Sequence, residues 1–217
     1  FSCDSGFVFV WGSATPKKID LLKLQNGVTT VLADATIPAG SYDMIRMHLA
    51  SIAIVTADST YDVKIPACYK RGLRLKLDSV LTVTEGEDIA EILVDIDLSR
   101  SLVSMGYWNG HGKKRFIGFY FQPIIRAINH KQSGCVFGKV YEGTSTAVES
   151  ALITVLHADT LVTTALTDSL GKYKVIGLKA GTYGLKAEKT GYKTVTLTGI
   201  RIDRKESVKQ NIQLVKQ

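Results

Sequence analysis

Hydrophobicity that alternates with period two is the feature that most constrains this chain. The alternation is strict in Leu73-Arg74-Leu75-Lys76-Leu77-Asp78, and Ile92-Leu93-Val94-Asp95-Ile96-Asp97-Leu98 repeats it with Asp95 and Asp97 on one face. From Tyr42 to Leu49 one side carries Ile45, Met47 and Leu49, and the other carries Tyr42, Met44, Arg46 and His48. Successive side chains of a strand point to opposite faces, so each run reads as a strand with one buried side. Composition agrees: Thr, Val and Ile fill 57 of the 217 positions, and these β-branched residues are stiff at χ1 and suit a pleated, half-buried surface. Helical spacing is confined to Lys18–Gln25 and Ser99–Met105, stretches too short to be stable alone in water. Strands about every ten residues with Gly, Asp and Pro punctuation predict an all-β protein of Greek-key sandwich type.

At this length the chain can hold one large core or two small ones. The polar stretch His130-Lys131-Gln132-Ser133-Gly134 follows the apolar Phe119–Ile128, and an alternating pattern restarts at Val136. We therefore expect two tandem β-sandwich domains, 1–134 and 135–217. Pro38-Ala39-Gly40-Ser41-Tyr42 is echoed by Lys179-Ala180-Gly181-Thr182-Tyr183. The echo predicts positive-φ glycines in equivalent turns of two related sandwiches. The turn signal Thr84-Glu85-Gly86-Glu87-Asp88 predicts that the runs on either side of it pair antiparallel, with Arg74 and Lys76 opposite Asp95 and Asp97.

Several motifs carry resemblances. Gly138-Lys139-Val140, Ala151–Val155, Thr167-Asp168-Ser169-Leu170-Gly171-Lys172-Tyr173, Leu178–Tyr183 and Gly191-Tyr192 follow one another as in the carboxypeptidase regulatory-like domain, which residues 135–217 resemble. That resemblance implies a transthyretin-like (prealbumin-like) sandwich. Ile19–Leu24, Ile37–Tyr42 with Ile45-Arg46-Met47, Gly72–Leu75, Val94–Asp97 with Ser101, and Gln122–Arg126 make residues 19–128 similar to a bacterial lipoprotein family built on a domain of unknown function. This second resemblance implies an exported protein of the outer membrane or cell surface, often lipid-anchored at its N-terminus, of the kind found in gut-type anaerobes. Some members are described as adhesins by analogy. It also implies that one or more strands precede Phe7–Trp11, so that an unpaired edge is expected to accept a partner strand or a second copy of the chain.

Charge and cysteine exclude other classes. The net charge of +7 lies mostly in residues 135–217, with 12 Lys/Arg against 7 Asp/Glu. Lys172, Lys174, Lys186, Lys189 and Lys193 are spread along alternating segments, so they read as a solvated sheet face rather than a nucleic-acid footprint. Cys3, Cys68 and Cys135 lack CxxC spacing and predict no structural zinc site. Apolar runs fall short of the roughly 18 residues that span a bilayer. A zinc carboxypeptidase needs three protein ligands converging on one metal, and none of His48, His111, His130 and His157 has a Glu three residues on. With no GxSxG elbow, P-loop or dinucleotide fingerprint, we expect no enzyme, no cofactor and no resident metal. Glu85, Glu87, Asp88, Glu91, Asp95 and Asp97 read as a solvated hairpin with cross-strand ion pairs, calcium being the alternative.

The most suggestive segment is Gly106–Arg115. Aromatic rings beside glycines and consecutive cations can stack on a sugar or hold an acidic patch, which makes Tyr107, Trp108, His111, Lys113, Lys114 and Arg115 the candidate ligand-binding residues of a loop. The alternative is a hairpin tip whose Trp folds back on the sandwich. The resulting expectation is a non-catalytic surface protein acting as an adhesion or structural scaffold module, with a surface protein or glycan as partner. The second reading is a glycan-binding accessory protein of a nutrient-uptake system, and the third an accessory domain of a peptidase.

Overall fold

The structure is a computed structural model that describes residues 7–9, 16–86, 90–109 and 113–217. These are nearly all strand and loop, and they divide into two compact units. A central unit comprises residues 42–81 and 92–129. A C-terminal unit comprises 130–217 together with described residues of 1–41 and 82–91.

The central unit contains β1 (Gly40–Met47), β2 (Ala53–Val55), β3 (Thr60–Lys64), β4 (Leu73–Val83), β5 (Ile92–Ile96), the single-turn helix α1 (Leu98–Ser101), β6 (Leu102–Asn109), β7 (Lys113–Phe121) and β8 (Ile125–Asn129). They form two four-stranded sheets, ordered β1-β4-β8-β5 and β2-β3-β7-β6. The alternation of β4 does what its pattern demands: Leu73, Leu75, Leu77 and Leu81 are buried while Arg74 and Lys76 are exposed. Each such leucine contributes about 1.5–3 kcal/mol through removal from water. In β1 the alternation is weaker, because Arg46 is half-buried with its Nε enclosed, and His48 falls just beyond the strand end.

The expected β4–β5 hairpin does not form. β8 lies between them, antiparallel to β5 and parallel to β4 through Leu77 opposite Ala127. Consequently Asp95 stands opposite Arg126, whose Nε and Nη2 donate to its carboxylate at 3.1 and 2.5 Å, and β5 is not the ladder neighbour of Arg74 and Lys76 that the turn signal predicted. The physical reason is that β8 is apolar on both faces, with Ala127 and Ile128 each 2% exposed, and a strand buried on both faces belongs in a sheet interior rather than at its edge. The Asn129 N–H adds a bond to Asp78 Oδ1 at 3.0 Å.

The C-terminal unit is a sandwich of β9 (Ser133–Glu142), β10 (Thr146–Ala147), β11 (Leu152–His157), β12 (Thr160–Leu166), β13 (Lys172–Lys179), β14 (Gly181–Glu188), β15 (Val195–Ile202), β16 (Ser207–Lys209) and β17 (Ile212–Leu214). One sheet runs β12-β11-β14-β15. In the other, β9 carries β10 and β13 antiparallel, and β16 and β17 parallel. Val136, Val140, Ile153, Val155, Leu178, Leu185 and Ile202 fill the core at 0% exposure. Gly138 is required by close approach, since a Cβ there would run into the Gln210 carbonyl where the chain passes from β16 to β17. The turn after β12 forms as its residues predict: Asp168 Oδ1 accepts the N–H groups of Leu170 and Lys172, and Tyr173 and Val175 point inward.

The echoed pentapeptides are not equivalent. Gly40 opens the edge strand β1 and Gly181 opens the interior strand β14, and neither has positive φ. Gly181 instead makes room, since a Cβ there would sit 3.2 Å from the His157 ring. Tyr183, two residues on, is 5% exposed with its hydroxyl donating to Lys179 O at 2.9 Å. Ahead of the strands, Leu21–Lys23 form one 3-10 turn capped by Asp20, and the Asn26-Gly27 turn covers the edge of β13, where the Lys174 N–H donates to Asn26 Oδ1 at 3.3 Å. Cys68 is an exposed free thiol and Cys135 a buried one; Cys3 lies outside the described residues.

Candidate binding surface at the β6–β7 hairpin

The predicted loop is a ladder. β6 and β7 pair from Leu102 opposite Phe121 as far as Asn109 opposite Lys113, so Tyr107, Trp108, Lys113 and Lys114 are strand residues. Aromatic residues favour this extended pairing. Tyr107 is opposite Arg115 and Trp108 opposite Lys114. Arg115 is exposed. His111, with Gly110 and Gly112, lies outside the described residues.

Sequence reasoning missed the aromatic group at the base of this hairpin. The rings of Tyr61, Phe116 and Phe119 meet edge to face, with centroids 5.7 Å apart for Tyr61–Phe116, 5.9 Å for Tyr61–Phe119 and 5.0 Å for Phe116–Phe119, a geometry favoured by the ring quadrupoles. A bulge creates it. The register slips between Met105 and Gly106, and Gly118 takes φ +138°, a conformation that residues with a Cβ rarely adopt. The slip lets Phe116 and Phe119, three apart, share a neighbour that strict alternation would deny one of them. Burial falls along this row: Val63 and Phe121 are enclosed, Tyr61 and Phe119 are half-buried, and Phe116 is 45% exposed. Ile117 and Val55 on the same sheet are also exposed. The sequence signal was the interrupted spacing Phe116, Phe119, Phe121 around Gly118.

Other candidates are engaged in folding. Asp97, 6% exposed, caps α1 by accepting from Arg100 N at 3.2 Å and Ser99 Oγ at 2.7 Å, and it pairs with Arg100 Nε at 2.8 Å. Ser101 Oγ accepts the Ile124 N–H at 2.9 Å. With Asp95 joining β5 to β8 through Arg126, two of the six carboxylates weighed for calcium are engaged in holding the fold, one across strands and one at the cap of α1. Glu87 and Asp88 lie outside the described residues. Among the described residues no three His, Cys, Asp or Glu side chains gather as metal ligands. A shallow cleft of about 440 Å³ opens on the C-terminal unit beside Leu156, His157, Asp159, Thr182 and Tyr183. His157 there bonds through Nδ1 to Thr182 O at 3.0 Å and packs on Tyr183. Among the described residues no helix is long and apolar enough to cross a membrane.

These features define a class: an all-β chain of sandwich units. The chain belongs to the family of the domain of unknown function DUF4382, whose model matches residues 3–116, and residues 136–215 match the carboxypeptidase regulatory-like domain. No curated protein matches it. Similar solved structures include the major pilin subunit BcpA of Bacillus cereus (14% identity, 63% of this chain and 42% of that one, TM-score 0.31). A streptococcal ancillary pilin is similar at 14% identity over 84% of this chain and 46% of that one, with a TM-score of 0.33. A mutant type II cohesin–X-dockerin complex from Acetivibrio cellulolyticus is similar at 23% identity over 38% of this chain and 58% of that one, with a TM-score of 0.31. The chain spans less than two thirds of the length of each.

Proposed function

We propose that the chain is a non-catalytic, exported cell-surface protein that works as an adhesion or scaffold module, with the β6–β7 hairpin as its contact surface. The observation that carries this reading is the aromatic row Tyr61, Phe119 and Phe116, which runs from the interior to 45% exposure at the base of a hairpin rich in aromatic and cationic residues. Phe116 leaves an aromatic face open to water at the end of this row, beside the exposed Ile117, and such apolar surface is favoured where a partner covers it. Asp97, Ser101 and Thr167 support the non-catalytic part, because each is engaged with backbone partners. The test is adherence of protein-coated beads to intact bacterial and epithelial surfaces. Wild type is expected to adhere, and Trp108→Ala with Phe116→Ser to reduce adherence at least tenfold at a temperature where both proteins are folded, the melting temperature falling only by what the lost Phe116 ring contacts contribute. A wild type that does not adhere, or a double variant that adheres equally, overturns the reading. The glycan-binding alternative predicts hits on a glycan array that the same variants abolish.

A further inference from the structure

The lysines that look scattered in the sequence are gathered by strand register. On the outer face of the β13-β9-β16 sheet, Lys172 stands directly opposite Lys139, and Lys174 and Lys209 flank Phe137 from either side. Strands lie about 4.8 Å apart, so four ammonium groups share a patch two strand spacings wide. All four lysines are exposed and Phe137 is half-buried among them.

This arrangement opposes folding rather than serving it. Like charges directly opposite across a ladder are destabilising, whereas some cations elsewhere are set against carboxylates: Lys186 with Glu188 at 2.8 Å, Lys216 with Glu142 at 2.9 Å, and Arg126 with Asp95. Among the described residues none of the four ammonium groups meets a carboxylate. The nearby acids are committed, Asp168 to the N–H groups of Leu170 and Lys172, Glu206 to Asp203 N, and Asp203 to Arg201.

We propose that this face binds an anionic polysaccharide, a chain bearing carboxylate or sulfate groups. The four cations are all lysines, point charges that suit a flexible polyanion and lack the bidentate fork that arginine offers to a defined phosphate or carboxylate. Phe137 supplies an apolar ring between two of them, against which the C–H face of a sugar packs while its acidic groups reach the lysines on either side. The surface is a sheet face, suited to a chain laid across strands. It lies in the C-terminal unit, on residues separate from the hairpin surface, so either proposal can fail alone.

The probes are dextran sulfate, polygalacturonate, neutral dextran, poly-glutamate and a single-stranded oligonucleotide, measured by titration calorimetry at low and moderate salt. Dextran sulfate or polygalacturonate is expected to bind, neutral dextran not, with affinity falling steeply as salt rises. The triple variant Lys139→Gln, Lys172→Gln, Lys209→Gln is expected to weaken binding at least tenfold while its melting temperature holds or rises, since repulsion is relieved. The control Lys186→Gln, Lys189→Gln, Lys193→Gln removes the same charge and is expected to stay within twofold of wild type. Phe137→Leu is expected to weaken polysaccharide binding severalfold and leave poly-glutamate unaffected. Equal losses in the two triple variants, no polyanion binding, or tighter binding of poly-glutamate or the oligonucleotide than of either polysaccharide overturns the proposal.

Discussion

Thr167 shows how a single hydroxyl sets the start of a strand. At 4% exposure it donates to Val148 O at 2.6 Å and accepts the Ala151 N–H at 2.8 Å. Replacing it with valine keeps the shape but leaves a buried donor and a buried acceptor without partners, each costing about 1–3 kcal/mol. Thr167→Val is therefore expected to lower stability by about 2–6 kcal/mol in urea unfolding, and Thr167→Ser, which loses only a methyl group, by under about 1 kcal/mol. Equal losses would mean that packing, not the hydroxyl, matters there. In the central unit Ser101, fully buried, holds the Ile124 N–H, and Ser101→Ala is expected to cost about 1–3 kcal/mol by the same reasoning. The family motifs around Val94–Ser101 and Gln122–Arg126 are accordingly fastenings. A gain or loss of binding in Ser101→Ala without loss of stability would contradict that.

At the scale of elements, the end of β9 is tied to the isolated bridge between Tyr192 and Lys216 by Glu142, which accepts from Tyr192 Oη at 2.8 Å and pairs with Lys216 Nζ at 2.9 Å. The bond from Lys216, then that from Tyr192, holds the Glu142 carboxyl below its ordinary pKa. The same carboxylate raises the pKa of Lys216 and of Tyr192. The depressed carboxyl gives stability that is present above its unfolded pKa and lost as pH falls through its folded one. The two raised groups give stability that is present below their unfolded pKa values and lost as pH rises through their folded ones. Glu142→Gln is thus expected to melt below wild type between the two limits, with the gap closing in acid and in strong alkali and narrowing in salt. A gap unchanged from pH 3 to 11 would show that charge plays no part. Elements of this kind were only partly legible in the sequence. The alternation of β4 located the strand and its buried face, because burial on one face is a local pattern; that of β5 located the strand, but its five residues are all half-buried rather than alternating. The separation of these two strands by β8 was not legible, since the partner of a strand is chosen by burial far along the chain. The lysine face was hidden for the same reason, as Lys139, Lys172 and Lys209 meet only through register. Gly118 hid the aromatic row by breaking the period on which the reading relied.

For the whole molecule, the two units carry distinct cores, one around Leu185, Ile153 and Val155, the other including Val63, Leu75 and Phe121. Nearest-neighbour packing confines the damage of a cavity to the side chains that line it, and mutations without shared partners act additively. Leu185→Ala, at 0% exposure, is expected to cost about 2–5 kcal/mol, and Phe121→Ala about 3–5 kcal/mol. Native-state hydrogen exchange reads where each loss falls. In Leu185→Ala the amides of β11 and β14 are expected to lose protection while those of β7 and β8 keep theirs, and in Phe121→Ala the order is reversed. If either substitution lowers protection in both units by the same amount, the chain opens as one cooperative body. A surface variant in one unit would then disturb binding in the other through stability alone, and the hairpin and the lysine face would have to be compared at matched stability before either could be credited with a ligand.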